Sequence, residues 1–304
     1  MTDSKEVNPD LVKKGHCKAY IKSIPVNVLN FQTYEKTQIS NDKSVYGNVD
    51  RISSDACLIL NIVSQRVFHY LLKRVLAYNL LDTDTKSLVP AAFDSTIRNE
   101  PFIAWLGAYI EDGIKVSSLR HEYIKFCDKK KKNDTESMTM EEIDAKIEEL
   151  KNAIIEINPY YFRTVGKGKE SNIHPAFKNK TAIKNIINSL KPEDSTIRIT
   201  SETKYLVEYL IDVFVCKVLY ISYIQTAQID EENGIVTSVN KPNKTINFAT
   251  VKNVCKSIIP GVFSTEGTQR FGNENVFNNI NEEVEKIKNR PKSKGPNSGK
   301  KEVA

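Results

Sequence analysis

Two short segments of the chain bring an arginine and two hydroxyl residues together just before a long apolar run. They read R-I-S-S at residues 51–54 and R-I-T-S at residues 198–201. A serine or threonine in this place caps the helix that follows, whose free N–H groups and positive dipole end attract anions. An arginine just before the cap can reach past a phosphate into the minor groove of a duplex. The two segments therefore predict phosphate-contacting sites.

One copy of this pattern would be weak support, because serine and threonine caps are common and the arginine can simply be solvated. The second copy strengthens the interpretation, since both are followed, after a long helix, by a similar tripeptide. These tripeptides are K-S-L at residues 86–88 and K-T-I at residues 244–246. The repeated order indicates two related units in one chain.

Each unit is built around a long helix. From Ser53 to about Leu81, and again from the second R-I-T-S segment to about Ala227, apolar residues recur at steps of three and four. A helix of this length spans roughly 40 Å, and its apolar residues cover most of its circumference. The two short helices that flank each long helix in sequence cannot cover this apolar surface. The long helix therefore needs a partner that crosses it, either another chain or another part of this one.

The composition divides the chain into five parts. They are a polar arm at 1–22, a first unit with added C-terminal helices at 23–127, a linker with an amphipathic connector helix at 128–180, a second unit with a C-terminal extension at 181–280, and a basic tail at 281–304. Seven basic and no acidic residues between 286 and 301 predict that the tail is disordered. The arm is expected to be frayed.

Pro90 is predicted to open a short helix through Phe93 and Ile97 at the end of the first unit. Three further helices are predicted after it. One begins at Pro101 and ends near Gly113, with Trp105 as a core anchor. The next covers residues 119–126 and is broken by the lysine run at 129–132, which is typical of a solvated linker. The third is the connector helix, which begins with a capping box of Thr139 and Glu142.

Several stretches resemble core histones. I-K-N-I-I-N-S-L-K-P-E-D-S-T-I-R-I-T-S-E-T-K-Y-L-V-E-Y-L-I-D-V-F, at 183–214, resembles the first helix, first loop and central helix of a eukaryotic core histone. I-I-P-G-V-F-S-T-E-G-T, at 258–268, is similar to the end of the third helix and the start of the C-terminal helix in one member of the outer nucleosomal dimer. Residues 89–107 resemble the third helix and the acidic-patch helix of the other member, with Glu100 and residues 111–112 as the acidic residues nearby. The order on one polypeptide resembles the fused histone doublets of giant viruses.

The resemblance implies an all-α protein in which two histone folds pair head-to-tail within one chain, as an intramolecular handshake with connector helices. The first loop of each unit would then lie beside the second loop of the other, with Arg51 near Lys244 and Thr245. Likewise, Arg198 would lie near Lys86 and Ser87. The DNA-contact residues that this arrangement predicts are Arg51, Ser53, Lys86, Ser87, Arg198, Thr200, Lys244 and Thr245.

Composition and motifs argue against other classes of function. A net charge of +6 gives a mildly basic surface that suits polyanions. No apolar run approaches the roughly 20 residues needed to cross a bilayer, and the five cysteines show no C-x-x-C spacing. We therefore expect no membrane partner, no secretion and buried, reduced thiols.

We expect no enzyme, cofactor or metal site either. The four histidines are dispersed, and His121-Glu122 lacks the second histidine of a zinc-binding helix. The G-K-G-K element at 166–169 lacks the spacing of a phosphate loop.

The function implied by the resemblance is sequence-independent binding and bending of double-stranded DNA in nucleosome-like particles. Other histone-fold proteins would be partners, either a second doublet or tetramer-type histones. The compartment would be a nucleus or a viral factory, and the virion if the protein is viral. Two alternatives stay open. One is a histone-fold subunit of a transcription-related assembly, and the other is a helical structural protein without a nucleic acid role.

Overall fold

The computed structural model describes residues 12, 14, 15, 17, 18, 20, 21, 49–80, 87–100, 103–135, 137–157, 198–227, 245–259 and 280–289. The helices are α1 (Ser54–Leu80), α2 (Ala92–Asn99), a 3₁₀ helix (Ala104–Tyr109), α3 (Ile110–Lys132), α4 (Met140–Ile157), α5 (Ser201–Ala227), α6 (Phe248–Ile258) and α7 (Ile280–Lys288). The strands are β1 (Arg51–Ile52), β2 (Ser87–Leu88), β3 (Arg198–Ile199) and β4 (Thr245–Ile246). The described residues are mostly helical, which agrees with the expected all-α class.

The two longest helices, α1 and α5, form the centre of the molecule. Each has 27 residues and is therefore about 40 Å long. β1 leads into α1 and pairs with β4, which follows α5, whereas β2 follows α1 and pairs with β3, which leads into α5. The long helices consequently run in opposite directions. Phe68 and Phe214, each near the middle of its helix, meet edge to face with ring centroids 6.1 Å apart.

Apolar side chains from both units share one continuous core. Along α1 the buried residues fall at the predicted spacing, and along α5 burial extends around most of the helix. The short helices α2 and α6 pack against α1, and α6 also packs against α5. Trp105 stacks on Phe214 with ring centroids 6.1 Å apart, as expected of a core anchor. Each long helix thus finds its crossing partner within the same chain.

The predicted helix end near Gly113 is wrong, because α3 runs through this residue. A Cβ atom at Gly113 would lie only 2.7 Å from Cδ1 of Leu206 and 2.8 Å from Cδ1 of Tyr209. The missing side chain therefore lets α3 approach α5 closely. Glycine here serves helix packing and does not end the helix.

The lysine run at 129–132 is also placed differently from the prediction. It forms the last turn of α3, where positive charges complement the negative end of the helix dipole. The helix ends at Asn133, which adopts a left-handed conformation with φ 51°. The predicted boundary between residues 127 and 128 therefore lies inside a helix.

The connector helix α4 agrees with the sequence interpretation. The N–H of Thr139 donates to Oε2 of Glu142 at 2.8 Å, and the N–H of Glu142 donates to Oγ1 of Thr139 at 3.2 Å. This reciprocal pair is the predicted capping box. The helix then buries Ile143, Leu150 and Ile154, and it packs along α3.

The described residues of both terminal segments pack onto the rest of the molecule, which differs from the prediction. The expected frayed arm includes Val12, Cys17, Tyr20 and Ile21, which are all buried in the common core. The expected disordered tail begins inside α7, which buries Val284 and packs against α1. Several of the predicted features lie outside the described residues. They are Lys86, Lys244, the histone-like stretches at 183–197 and 260–268, and the G-K-G-K element.

Candidate nucleic-acid interface

Two short parallel strand pairs bring the predicted site residues together. In the first pair Arg51 stands opposite Thr245, and in the second Ser87 stands opposite Arg198. The predicted neighbours Arg51 and Thr245, and Arg198 and Ser87, are therefore confirmed. Lys244 and Lys86 adjoin these strands in sequence, although their own positions are not described.

The strands separate the polar residues from the core. Ile52, Leu88 and Ile246, the second residues of β1, β2 and β4, are buried, whereas Arg51 and Arg198 are exposed. This follows from strand geometry, because successive side chains point to opposite faces. In each pair the buried apolar side chains anchor the strands to the core, and the arginine side chain faces solvent.

The hydroxyl residues Ser53 and Thr200 act as helix caps. Oγ of Ser53 accepts a hydrogen bond from the N–H of Ala56 at 3.1 Å, and Oγ1 of Thr200 accepts one from the N–H of Thr203 at 3.1 Å. These bonds position the first turns of α1 and α5. The two predicted hydroxyls therefore play matching roles at the two ends.

The charge at each end is mixed. Arg51 lies 3.4 Å from Asp50, but the arginine side chain is 69% exposed, and such surface pairs contribute only about 0–1 kcal/mol. The first turns also carry acidic residues, Asp55 in α1 and Glu202 in α5, which offset part of the positive helix end. Attraction to an anion therefore depends on the arginines and on neighbouring lysines.

The two ends are far apart. The pair β1/β4 lies at the start of α1 and the end of α5, while β2/β3 lies at the opposite ends of the same helices. Their separation is therefore on the order of one long helix, about 40 Å. The molecule therefore carries an exposed arginine at each end of its two long helices.

No protein-family model, curated protein or solved structure matches this chain. Within the described ranges, no group of three or more histidine, cysteine or acidic side chains is arranged to hold a metal ion. Over the same residues, no helix is long and apolar enough to cross a membrane.

Two residues that were not predicted from the sequence also contribute to these ends. Oγ1 of Thr203 donates to the carbonyl of Leu88 at 2.8 Å, which ties the first turn of α5 to β2. Nζ of Lys14 donates to Oγ of Ser54 at 2.8 Å, which brings the N-terminal segment to the start of α1. A second threonine three residues after the cap signals the first contact, whereas no local signal indicates the second.

Glu100 is not available to the surface patch that the resemblance suggests. Its carboxylate accepts from Nε of Arg74 at 2.7 Å and from Oη of Tyr70 at 3.2 Å, and the residue is 7% exposed. It therefore connects the end of α2 to α1. Of the other two acidic residues named for this patch, Glu111 is exposed and Asp112 is partly exposed.

Proposed function

We propose that the chain is a histone doublet whose two units pair in an intramolecular handshake and that it binds and bends duplex DNA without sequence specificity. The observation that carries the proposal is the pair of matched strand junctions. Each joins one strand from either unit and places an exposed arginine at the start of a long helix, with Arg51 opposite Thr245 and Arg198 opposite Ser87.

The chemistry of these junctions favours phosphate over bases. Arginine and helix N–H groups neutralise and hydrogen-bond phosphate oxygens, which positions a protein on DNA without reading its sequence. The two junctions are about 40 Å apart, close to the roughly 34–36 Å of one turn of B-DNA. A duplex that meets both can use equivalent phosphates on successive turns, and binding should weaken steeply with salt.

The proposed role is packaging and not catalysis. Partners would be double-stranded DNA and other histone-fold proteins, either a second doublet or tetramer-type histones, in a nucleus or viral factory and, if the protein is viral, in the virion. Bending a duplex across the two junctions costs on the order of a few kcal/mol, which the additional phosphate contacts would offset.

A second candidate is a histone-fold subunit of a transcription-related assembly. The outer face of α4 favours it, because Glu141, Glu148, Glu149 and Glu156 are exposed there. An acidic helix face on the molecule suits contacts with basic proteins better than contacts with DNA. In this case the arginine junctions would contribute little to binding.

Nuclease digestion separates the two candidates. The full chain would be reconstituted with long duplex DNA of mixed sequence, alone and with core histones, and digested with micrococcal nuclease. Packaging predicts protected fragments of regular length. A continuous smear under both conditions, with binding that does not respond to salt, would contradict the packaging role.

A further inference from the structure

The two strand junctions differ in the source of their second positive charge. When the two units are aligned on Arg51 and Arg198, Lys204 in the first turn of α5 corresponds to Cys57 in α1. Lys204 is exposed, whereas Cys57 is buried. The first turn of α1 therefore gives the β1/β4 junction no counterpart of the lysine that the first turn of α5 gives the β2/β3 junction.

The N-terminal segment supplies a lysine at that place. Nζ of Lys14 lies 2.8 Å from Oγ of Ser54, the first residue of α1, and Lys14 is exposed. Ser54 corresponds to Ser201 at the other junction. A lysine is consequently present near the start of both long helices, from the helix itself in one case and from a separate segment in the other.

The segment is held in place by buried contacts. The N–H of Val12 donates to Oδ1 of Asn61 at 2.9 Å, and the thiol of Cys57 donates to the carbonyl of Val12 at 3.5 Å. Tyr20 and Ile21 lie in the core. Residue 57 is therefore covered by the segment, so a lysine at the place that corresponds to Lys204 has to come from the segment.

The thiol chemistry beneath the segment agrees with this position of Lys14. The pKa of Cys57 is lowered, first by a hydrogen bond with Cys17 and also by the positive charge of Lys14, while burial opposes both. The hydrogen bond between the two thiols joins the segment to α1. The lysine is thus close to the first turn of α1.

We infer that Lys14 is a DNA-phosphate-binding residue of the β1/β4 junction and the counterpart of Lys204 at the β2/β3 junction. The inference rests on the proposed function and adds the N-terminal segment to the interface. The hydroxyl of Ser54 can hold Lys14 toward an approaching phosphate, since the bond between them is exposed.

The test measures binding of the full chain to a fluorescent duplex of mixed sequence over a series of salt concentrations. Variants are Lys14→Ala, Lys204→Ala, Lys14→Arg, Arg51→Ala and, as a control on the outer helix α4, Lys151→Ala. We expect Lys14→Ala and Lys204→Ala each to weaken binding about fivefold near 0.1 M salt and to reduce the slope of log K against log salt by about 1. Lys14→Arg should bind like the unmodified chain.

The outcomes distinguish the inference from the function on which it rests. If Lys14→Ala behaves like Lys151→Ala while Arg51→Ala and Lys204→Ala weaken binding, the role of Lys14 is overturned and the DNA-binding function stands. If Arg51→Ala, Lys204→Ala and Lys14→Ala all leave affinity and salt slope unchanged, both are overturned. A loss in Lys14→Ala that Lys14→Arg does not restore points to disturbed docking of the segment and also rejects phosphate binding by Lys14.

Discussion

Arg120 of α3 and Glu208 of α5 form an ion pair that is almost completely removed from solvent, with side chains 1% and 3% exposed. The Arg120 guanidinium also lies over the ring of Tyr205, 4.2 Å from its centroid. The pair joins a helix from the end of the first unit to the central helix of the second. Two charges in an apolar core are stable only together, because each compensates the desolvation of the other.

Removing one member of this pair should therefore be more harmful than removing both. We expect Arg120→Met to lower the free energy of unfolding by about 3–5 kcal/mol, because Glu208 is left as a buried charge without its partner. Arg120→Met with Glu208→Leu should recover most of that loss. Urea unfolding followed by circular dichroism measures both variants, and equal loss in the single and double variants would contradict a compensating pair.

Gly113 provides a test of the close approach between α3 and α5. Gly113→Ala should lower the free energy of unfolding by about 1–3 kcal/mol, because the added Cβ overlaps Leu206 and Tyr209 in a packed interface. The change acts against the gain of about 1 kcal/mol that alanine normally gives in a helix. Thermal and urea unfolding are the measurements.

Gly107 is the matched control for that substitution. A Cβ there would meet its nearest neighbour, Cγ of Arg98, at an ordinary 3.6 Å. Gly107→Ala should consequently be neutral or slightly stabilising. Equal destabilisation by the two alanines would show that helix proximity at Gly113 is not the cause.

The two exposed junction arginines should dominate DNA affinity if the proposed function is right. We expect Arg51→Ala with Arg198→Ala to weaken binding to mixed-sequence duplex by at least about tenfold and to reduce the salt slope by about 2, because two phosphate contacts are lost. Fluorescence anisotropy over a salt series is the measurement. Arg98→Ala, which removes another exposed arginine, serves as the control and should leave both quantities nearly unchanged.

Cys255 makes stability depend on pH in the alkaline range. Burial raises the pKa of its thiol to about 12, whereas the pKa of a thiol in the unfolded chain is about 8.5. The unfolded state thus releases this proton first, and the thiol's contribution to stability is complete below about pH 8.5 and is lost as the pH rises toward 12. From pH 8 to 10 this loss should reach about 2 kcal/mol.

Cys255→Ala removes the titrating thiol. The free energy of unfolding of this variant should therefore fall less between pH 8 and pH 10 than that of the unmodified chain. Val254→Ala is the control, because it removes neighbouring buried volume without a titrating group. Urea unfolding at both pH values measures the difference. A parallel decline in all three proteins would argue against Cys255 as the source.

The features that could be predicted from sequence are those with local signals. Helical spacing indicates α1 and α5, and capping chemistry indicates Ser53, Thr200 and the pair of Thr139 and Glu142. The neighbourhood of Arg51 and Thr245 is not local. It could be predicted because the resemblance to paired histone folds implies that the first loop of each unit meets the second loop of the other.

The features that could not be predicted depend on tertiary contacts. Gly113 has the same local signal whether it ends a helix or admits a neighbouring one. The docking of the N-terminal segment depends on scattered apolar residues such as Val12 and Tyr20. They lie in a mostly polar stretch of sequence that looks like a solvated arm. Glu100 likewise looks like a surface acid until its contact with Arg74 is known.

The mixed origin of the strand junctions bears on stoichiometry and dilution. Each junction combines one strand from the first half of the chain with one strand from the second half. Neither half alone therefore contains a complete junction. Two separate proteins would have to be made in equal amounts and would come apart at low concentration. A covalent connection fixes the ratio at one to one and makes the pairing of the halves independent of the protein concentration. Both junctions therefore stay assembled however scarce the molecule is.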